Sequence, residues 1–280
     1  MRSIAVVGAN GFIGSKLREV FIAESSHSKE WLLECDFLDG KWLRQASTAE
    51  LKARLSGKGL LHLAENPNIA MYEREDLTSK QYTNAVNLLE FSCEPKIYIS
   101  SYLVYASLRK SGDPGLREDA PVSDHSAYAA HKLRVEKLFL DFGGAVVRSS
   151  NLYGGSRSAR TGFVESVIRS VLTTGIVELD NGSNIRDFLF VDQFASCLFK
   201  LIQVENLRGL YNLGSGYGLS LAAVVDVVAN VLGRDGEKAV KYIESPNQTL
   251  DIRYLDCSRI RHAIGCWPDT RLVFNLPKIL

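Results

Sequence analysis

Four apolar residues in a row, Ile4 to Val7, stop at Gly8, and apolar residues return at Leu17, Val20 and Phe21. The unbroken run predicts a strand buried on both faces, and the later spacing predicts a helix over Lys16 to Ala23. The same alternation continues downstream. Trp31 to Asp36 reads as a strand ending in acid, Thr48 to Leu55 as a helix capped by Ser47 or Thr48 and closed by Gly57 and Gly59, and Leu60 to Ala64 as a strand. A helix then runs to about Glu90, with Tyr82, Val86 and Leu89 on one face and Asn84 and Asn87 between them. Lys96 to Ser100 is a strand, Ala127 to Phe139 a helix and Ala145 to Arg148 a strand; the polar stretch 106–125, with Gly112, Pro114, Gly115 and Pro121, predicts a long loop. Strands alternating with helices over about 150 residues predict an α/β fold with a Rossmann-like, doubly wound parallel sheet.

The pattern beyond is less regular. It predicts helices over Phe163 to Leu172, Gln193 to Gln203 and from a Ser220 cap to Leu232. Strands are expected over Val177 to Leu179, Phe188 to Val191 and Leu210 to Leu213, with short ones at Val240 to Ile243 and Ile252 to Leu255. The expected division is a dinucleotide-binding domain over residues 1–152, to which about 186–213 return, and a smaller C-terminal substrate-binding lid from 153–185 and 214–280. No linker-like stretch separates them.

Composition narrows the function classes. A net charge of +1 with mixed acids and bases gives no footprint for nucleic acid or an anionic membrane. No apolar run is long enough to cross a bilayer, and a strand starting at Ile4 leaves no room for a signal peptide, so a cytoplasmic protein is expected. The five cysteines (Cys35, Cys93, Cys197, Cys257 and Cys266) form no CxxC pair and read as reduced thiols. His27, His62, His125, His131 and His262 are scattered, so no metal site is expected.

Three features carry candidate chemistry. In the first turn, Gly8 permits a tight exit from the strand, Gly11 lets the backbone approach a pyrophosphate, and Gly14 lets the helix pack close to the sheet. The unpaired N–H groups at the helix start would then face phosphates. A carboxylate at the next strand end, Asp36 or Glu34, would accept hydrogen bonds from an adenosine ribose and repel a 2′-phosphate, which favours NAD(H) and leaves NADP(H) open. Tyr128 and Lys132 stand one helical turn apart, and an ammonium there stabilises a phenolate, as a tyrosine needs to act as an acid or base near neutral pH. Ser101, at the carboxyl end of a strand, adds a hydroxyl that can orient a substrate oxygen. Together these groups describe carbonyl reduction or alcohol oxidation.

Other segments extend the pattern: His62-Leu-Ala64, Ser100-Ser-Tyr-Leu-Val-Tyr105, Arg148-Ser-Ser-Asn-Leu-Tyr-Gly154, Asn184-Ile-Arg-Asp-Phe-Leu-Phe-Val-Asp192, Asn212-Leu-Gly-Ser-Gly216, and the closing Asp256-Cys-Ser with Trp267-Pro268. In kind and order the chain resembles the extended short-chain dehydrogenase/reductase family, which includes nucleotide-sugar epimerases, dehydratases and ketoreductases. The resemblance implies that Ser101 orients the substrate oxygen, Tyr128 transfers its proton, and Lys132 bonds the nicotinamide ribose and tunes Tyr128. It implies a cofactor turn of Gly8, Gly11, Phe12, Ile13 and Gly14, backbone contacts to the cofactor from Leu63 and Ala64, and substrate diphosphate contacts from Asn151 and Arg186. A salt bridge from Arg186 to Asp187 or Asp192 is the structural alternative. It also implies a homodimer through the helix that carries Tyr128, although Val135, Leu138 and Phe139 equally suit the monomer's own core.

The chain departs from the family at several points. Tyr102 and Leu103 stand where dehydratases of this group carry an Asp-Glu pair, so water elimination is not expected. Asn84-Ala85 replaces a Gly-Thr step and Glu65 a usual alanine. Only one acidic strand end is visible where relatives show two. A second phosphate-binding arginine, expected near Pro246, is missing, although Arg253 lies close enough to substitute. The resemblance implies an NAD(P)-dependent oxidoreductase acting at C4 of a nucleotide sugar, foremost a 4-keto-sugar reductase. The alternatives are a 4-epimerase with bound NAD and, third, a non-catalytic module that senses NAD(P)H.

Overall fold

The apolar run at the start of the chain becomes β1 (Arg2–Val7) of a six-stranded sheet. The computed structural model describes residues 2–27, 33–43, 45–66, 68–107, 115–154, 162–243, 249–265, 267 and 271–279. Trp31, Leu32, Gly112, Pro114, Pro246, Cys266 and Pro268, each used above, lie outside the described residues. The remaining strands are β2 (Leu33–Leu38), β3 (Gly59–His62), β4 (Lys96–Ser101), β5 (Ala145–Ser149), β6 (Asn151–Tyr153), β7 (Val177–Leu179), β8 (Ile185–Phe190), β9 (Gly209–Leu213), β10 (Gly218–Ser220), β11 (Val240–Tyr242) and β12 (Ile252–Arg253). The helices are α1 (Phe12–His27), α2 (Gly40–Leu43), α3 (Thr48–Leu55), α4 (Glu75–Phe91), α5 (Ala127–Asp141), α6 (Phe163–Thr173), α7 (Val191–Leu201), α8 (Leu221–Val231), α9 (Ser258–Ile264) and α10 (Leu272–Asn275).

The first sheet is parallel throughout, in the order β2-β1-β3-β4-β5-β9. It is the expected α/β, Rossmann-like arrangement, with α1, α7 and α9 contributing to the core on one face and α3, α4 and α5 to the core on the other. The chain leaves β1 toward β2 on one side and returns to β3 on the other, so the crevice at the carboxyl ends of β1 and β3 is the topological switch point where such sheets take ligands. Local signals fix the helix starts. Ser47 and Glu50 form a reciprocal capping box on α3, and the hydroxyls of Ser126 and Ser220 cap α5 and α8.

A second sheet, β10-β8-β12 with β6 on β8, carries a separate core of Val164, Val167, Phe188, Phe190, Val224 and Val228 from β8, α6 and α8. Part of the expected return to the first sheet is therefore corrected. Residues 185–190 pair within the second sheet, although Leu189 packs into the first sheet's core together with α7 and β9. One residue, Ser150, separates β5 in the first sheet from β6 in the second, and its N–H donates to Leu213 O of β9 at 3.1 Å. Val135 and Phe139 of α5 are fully buried in the monomer's core, and half-buried Leu138 packs against it. Among the described residues no helix is long and apolar enough to cross a membrane, four cysteines are free, and no cluster suits a metal ion.

His62 closes β3 inside this core, with its ring stacked on Tyr98 at 5.7 Å and Phe139 at 6.1 Å and its Nδ1 without a hydrogen-bond partner. Burial pushes the imidazole down to about 4. In the unfolded chain it returns to about 6.5, so the unfolded state binds the proton first. Stability is therefore full above about pH 6.5 and falls by about 3 kcal/mol as pH drops toward 4. His62→Phe should lose this slope, read as the difference between the two proteins in urea unfolding at neutral and mildly acidic pH. Parallel loss in both would reject the assignment.

Candidate active site

The switch-point crevice begins at the glycine turn. Gly8 sits at φ +98°, and a Cβ there would lie 2.8 Å from Ala64 N and 2.9 Å from Leu63 C. Only glycine therefore lets the exit of β1 press against the exit of β3. A Cβ at Gly14 would strike Gly8 O and come within 2.6 Å of Ala9 Cα, which is how α1 packs down on the turn. The helix begins at Phe12, four residues before the apolar spacing predicts, because that spacing is visible only from the first buried position, Leu17. Its first-turn N–H groups have no partners within the helix, and Gly11, Phe12, Ile13 and Gly14 line the cleft. The turn fits a dinucleotide diphosphate on two counts: its backbone can approach closely, and side chains are sterically barred at Gly8 and Gly14.

The expected ribose acid requires correction. β2 runs on to Leu38, whose carbonyl accepts from Gly8 N at 2.9 Å and Ala9 N at 3.0 Å, so the strand end lies beside the glycine turn. Asp36 is opposite Ala5, two residues inside the strand, and is bonded to Arg54 at 2.6 Å and Lys58 at 2.6 Å from its two oxygens. Burial opposes its charge, but those two cations outweigh it and hold the carboxyl below its usual range. Glu34 lies deeper in the strand and is exposed. The acid at the strand's carboxyl end is Asp39, which lines the crevice with Gly8, Gly11, Lys41 and Ala64.

Ser101, Tyr128 and Lys132 come together in the adjoining cleft with Leu63 and the glycine turn. Ser101 ends β4, and its Oγ accepts from Leu103 N at 3.2 Å, fixing the hydroxyl at the start of a short 3₁₀ turn. Tyr128 stands edge-on to Tyr72 at 4.9 Å, and Lys132 Nζ lies 5.6 Å from the Tyr128 ring centre. The Lys132 ammonium donates to Ile99 O at 3.1 Å and is salt-bridged to Glu65. Glu65 also accepts from Tyr98 OH at 2.8 Å and lies 3.0 Å from His131 Nε2. Burial favours the neutral form of Glu65, but the charge of Lys132 and the His131 hydrogen bond outweigh it and hold the carboxyl well below its usual range. Burial likewise opposes the charge on Lys132, and Glu65 reverses that and raises it.

Asn151 lines the same cleft from β6, and its Nδ2 donates to Tyr102 OH at 2.5 Å. Tyr102 is buried, which pushes its phenol up to about 12 against the lowering influence of Arg186 and Arg253. The acid of Arg186 is neither Asp187 nor Asp192. The guanidinium bonds Asp251, at 2.6 Å to Oδ2 and 2.8 Å to its carbonyl. Arg253, its register partner on β12, reaches the other oxygen of Asp251 at 3.1 Å. Asp187 is buried and accepts from Ser215, Gly216 and Leu255. Sequence reasoning did not single out Asp39, whose signal was the apolar Phe37-Leu38 continuing the strand; it did name Arg253 as close enough to substitute for the missing arginine, and Arg253 sits beside Arg186.

Comparisons with known proteins agree with this architecture. The model of the NAD dependent epimerase/dehydratase family matches residues 4–214. A dTDP-glucose 4,6-dehydratase of Haemophilus influenzae is 23% identical over 96% of this chain and 94% of its own. A UDP-glucose 4-epimerase of Mycolicibacterium smegmatis is 24% identical over 99% of this chain and 97% of its own. The structure of a dTDP-glucose 4,6-dehydratase from Streptomyces venezuelae, with NAD bound, superposes with a TM-score of 0.79 at 18% identity, over 99% of this chain and 95% of the other.

Proposed function

Because the chain belongs to the NAD dependent epimerase/dehydratase family, we propose that it is an NAD(H)-dependent oxidoreductase acting at C4 of a nucleotide sugar, in the direction of 4-keto reduction. The observation that carries the reading is the single cleft lined by Gly8, Gly11, Ser101, Tyr128 and Lys132. A protein that only sensed the cofactor would need the glycine turn but not the phenol, ammonium and hydroxyl beside it.

In this reading the first-turn N–H groups of α1 hold the cofactor diphosphate and Asp39 accepts from its adenosine ribose, which favours NAD(H) over NADP(H). Bound NADH supplies the hydride for the carbonyl carbon. Ser101 orients the carbonyl oxygen, Tyr128 gives it a proton, and Lys132 uses an N–H left over from Glu65 and Ile99 for the nicotinamide ribose. Asn151, with Arg186 and Arg253, forms the side that receives the substrate diphosphate, a role suited to paired guanidinium groups. Water elimination is disfavoured because Tyr102, the group in the usual acid's position, is buried and already bonded to Asn151.

A 4-epimerase would use the same residues, and the full-length match to a UDP-glucose 4-epimerase keeps it as the second reading. The test is turnover by the purified protein. A reductase consumes NADH only when a nucleotide 4-keto-sugar is added, whereas an epimerase interconverts UDP-hexoses with no added nicotinamide. The second result would overturn the reductase reading, and neither activity across UDP, dTDP, CDP and GDP sugars would overturn both.

A further inference from the structure

We propose that Glu65 is a positioning residue that locks Lys132 in place and offsets its charge, so that Tyr128 keeps the proton that reduction of a ketone consumes. The inference rests on the oxidoreductase reading above and assigns a direction to it. Its starting point is a departure from the family, a carboxylate in the position of a usual alanine, at the exit of β3 and inside the cleft.

The surroundings of Glu65 are built around the carboxylate. Its side chain is 8% exposed, and it meets Tyr98 OH from β4 and both His131 and Lys132 from α5. For a neutral His131 to donate from Nε2, the proton must sit on that nitrogen. Two of the three N–H groups of Lys132 are engaged by Glu65 and Ile99 O, so the ammonium is fixed in position and its charge is matched by an anion. The other charged or titratable groups around the cluster do not replace Glu65. His62 on β3 is held neutral by burial, Tyr72 donates its hydroxyl to Asn66 O, and Glu136, one turn beyond Lys132, is paired with Arg148.

The consequence for Tyr128 follows from the sign of the charges. An unopposed ammonium stabilises the phenolate, the form that begins the oxidation of an alcohol by taking its proton. An ammonium paired with a carboxylate stabilises it less, and the phenol stays protonated to higher pH. That is the form needed to give a proton to a carbonyl oxygen.

The experiment titrates tyrosinate absorbance in substrate-free protein, taking for each Glu65 variant the difference from the same variant carrying Tyr128→Phe, so that only Tyr128 is read. In Glu65→Gln, which keeps a hydrogen-bond acceptor for the Lys132 ammonium, the Tyr128 midpoint should fall by about one pH unit or more. Glu65→Asp, which keeps the charge, should stay near the wild type. A substitution that merely loosened packing would not give this order. In the active enzyme the alkaline limb of the reduction rate should move down with the midpoint. An unmoved midpoint in Glu65→Gln overturns the proposal. Because the titration needs no substrate, a shifted midpoint in a protein that reduces no nucleotide sugar would overturn the functional reading while leaving the charge balance established.

Discussion

Tyr128→Phe should lower turnover by about 10²- to 10⁴-fold at saturating cofactor and substrate, with little change in substrate affinity. The substitution removes one hydroxyl and leaves the ring, so the edge-on contact with Tyr72 at 4.9 Å can persist and the cleft keeps its shape. Ser101 and Lys132 would still hold the carbonyl oxygen and the cofactor, so binding is kept while the phenol's proton is lost. An equal fall in kcat and kcat/KM marks an interaction made only in the transition state. Lys132→Ala is a poorer probe here, because it would strand the buried Glu65 carboxylate and mix lost stability with lost chemistry. Near-normal turnover of Tyr128→Phe would defeat the proposed acid.

Arg148→Met should cost about 3–5 kcal/mol of folding stability, the usual result of removing one partner from a buried ion pair. Arg148 on β5 and Glu136 on α5 are each 3% exposed, and the guanidinium grips the carboxylate at 2.6 Å through Nη2 and 3.0 Å through Nε. Arg148 also lies 4.6 Å over the Tyr105 ring, and Ser100 Oγ donates to Glu136 at 2.5 Å. Without the arginine, Glu136 is left as a buried carboxylate with a single serine for company. The double variant Arg148→Met with Glu136→Leu should recover most of the loss, since it removes the stranded charge as well. Urea unfolding of the three proteins checks this, and a single variant within about 1 kcal/mol of wild type would sink it.

The parallel sheet was legible because its strands are buried on both faces and so appear as unbroken apolar runs, Ile4 to Val7 and Ala145 to Val147 among them. The same signal misplaced the end of β2, because Asp36 is a charged residue inside a strand and reads as a terminus until Arg54 and Lys58 are seen to neutralise it. β6 and β10 went unseen because Asn151-Leu-Tyr and Gly218-Leu-Ser lack the apolar-polar-apolar alternation of the equally short β7, Val177-Glu-Leu. In the cleft, Gly8, Gly11, Gly14, Ser101, Tyr128 and Lys132 could be found from local spacing, since each belongs to a short motif. Partners far apart in the chain could not. His131 lies 66 positions from Glu65 and Asp251 lies 65 from Arg186, and no spacing rule links such pairs before the chain is folded.

The junction at Ser150 has a mechanical consequence. A hinge needs a few residues free to absorb a change in backbone angle. Between β5 and β6 there is one, and its N–H is tied to Leu213. Asn151 is thus mounted on the same frame as Ser101 and the glycine turn, and the floor of the cleft works as a fixed jaw. Its span between the glycine turn and Asn151 is set by strand register. The single tied residue at Ser150 leaves that frame no short segment in which to bend.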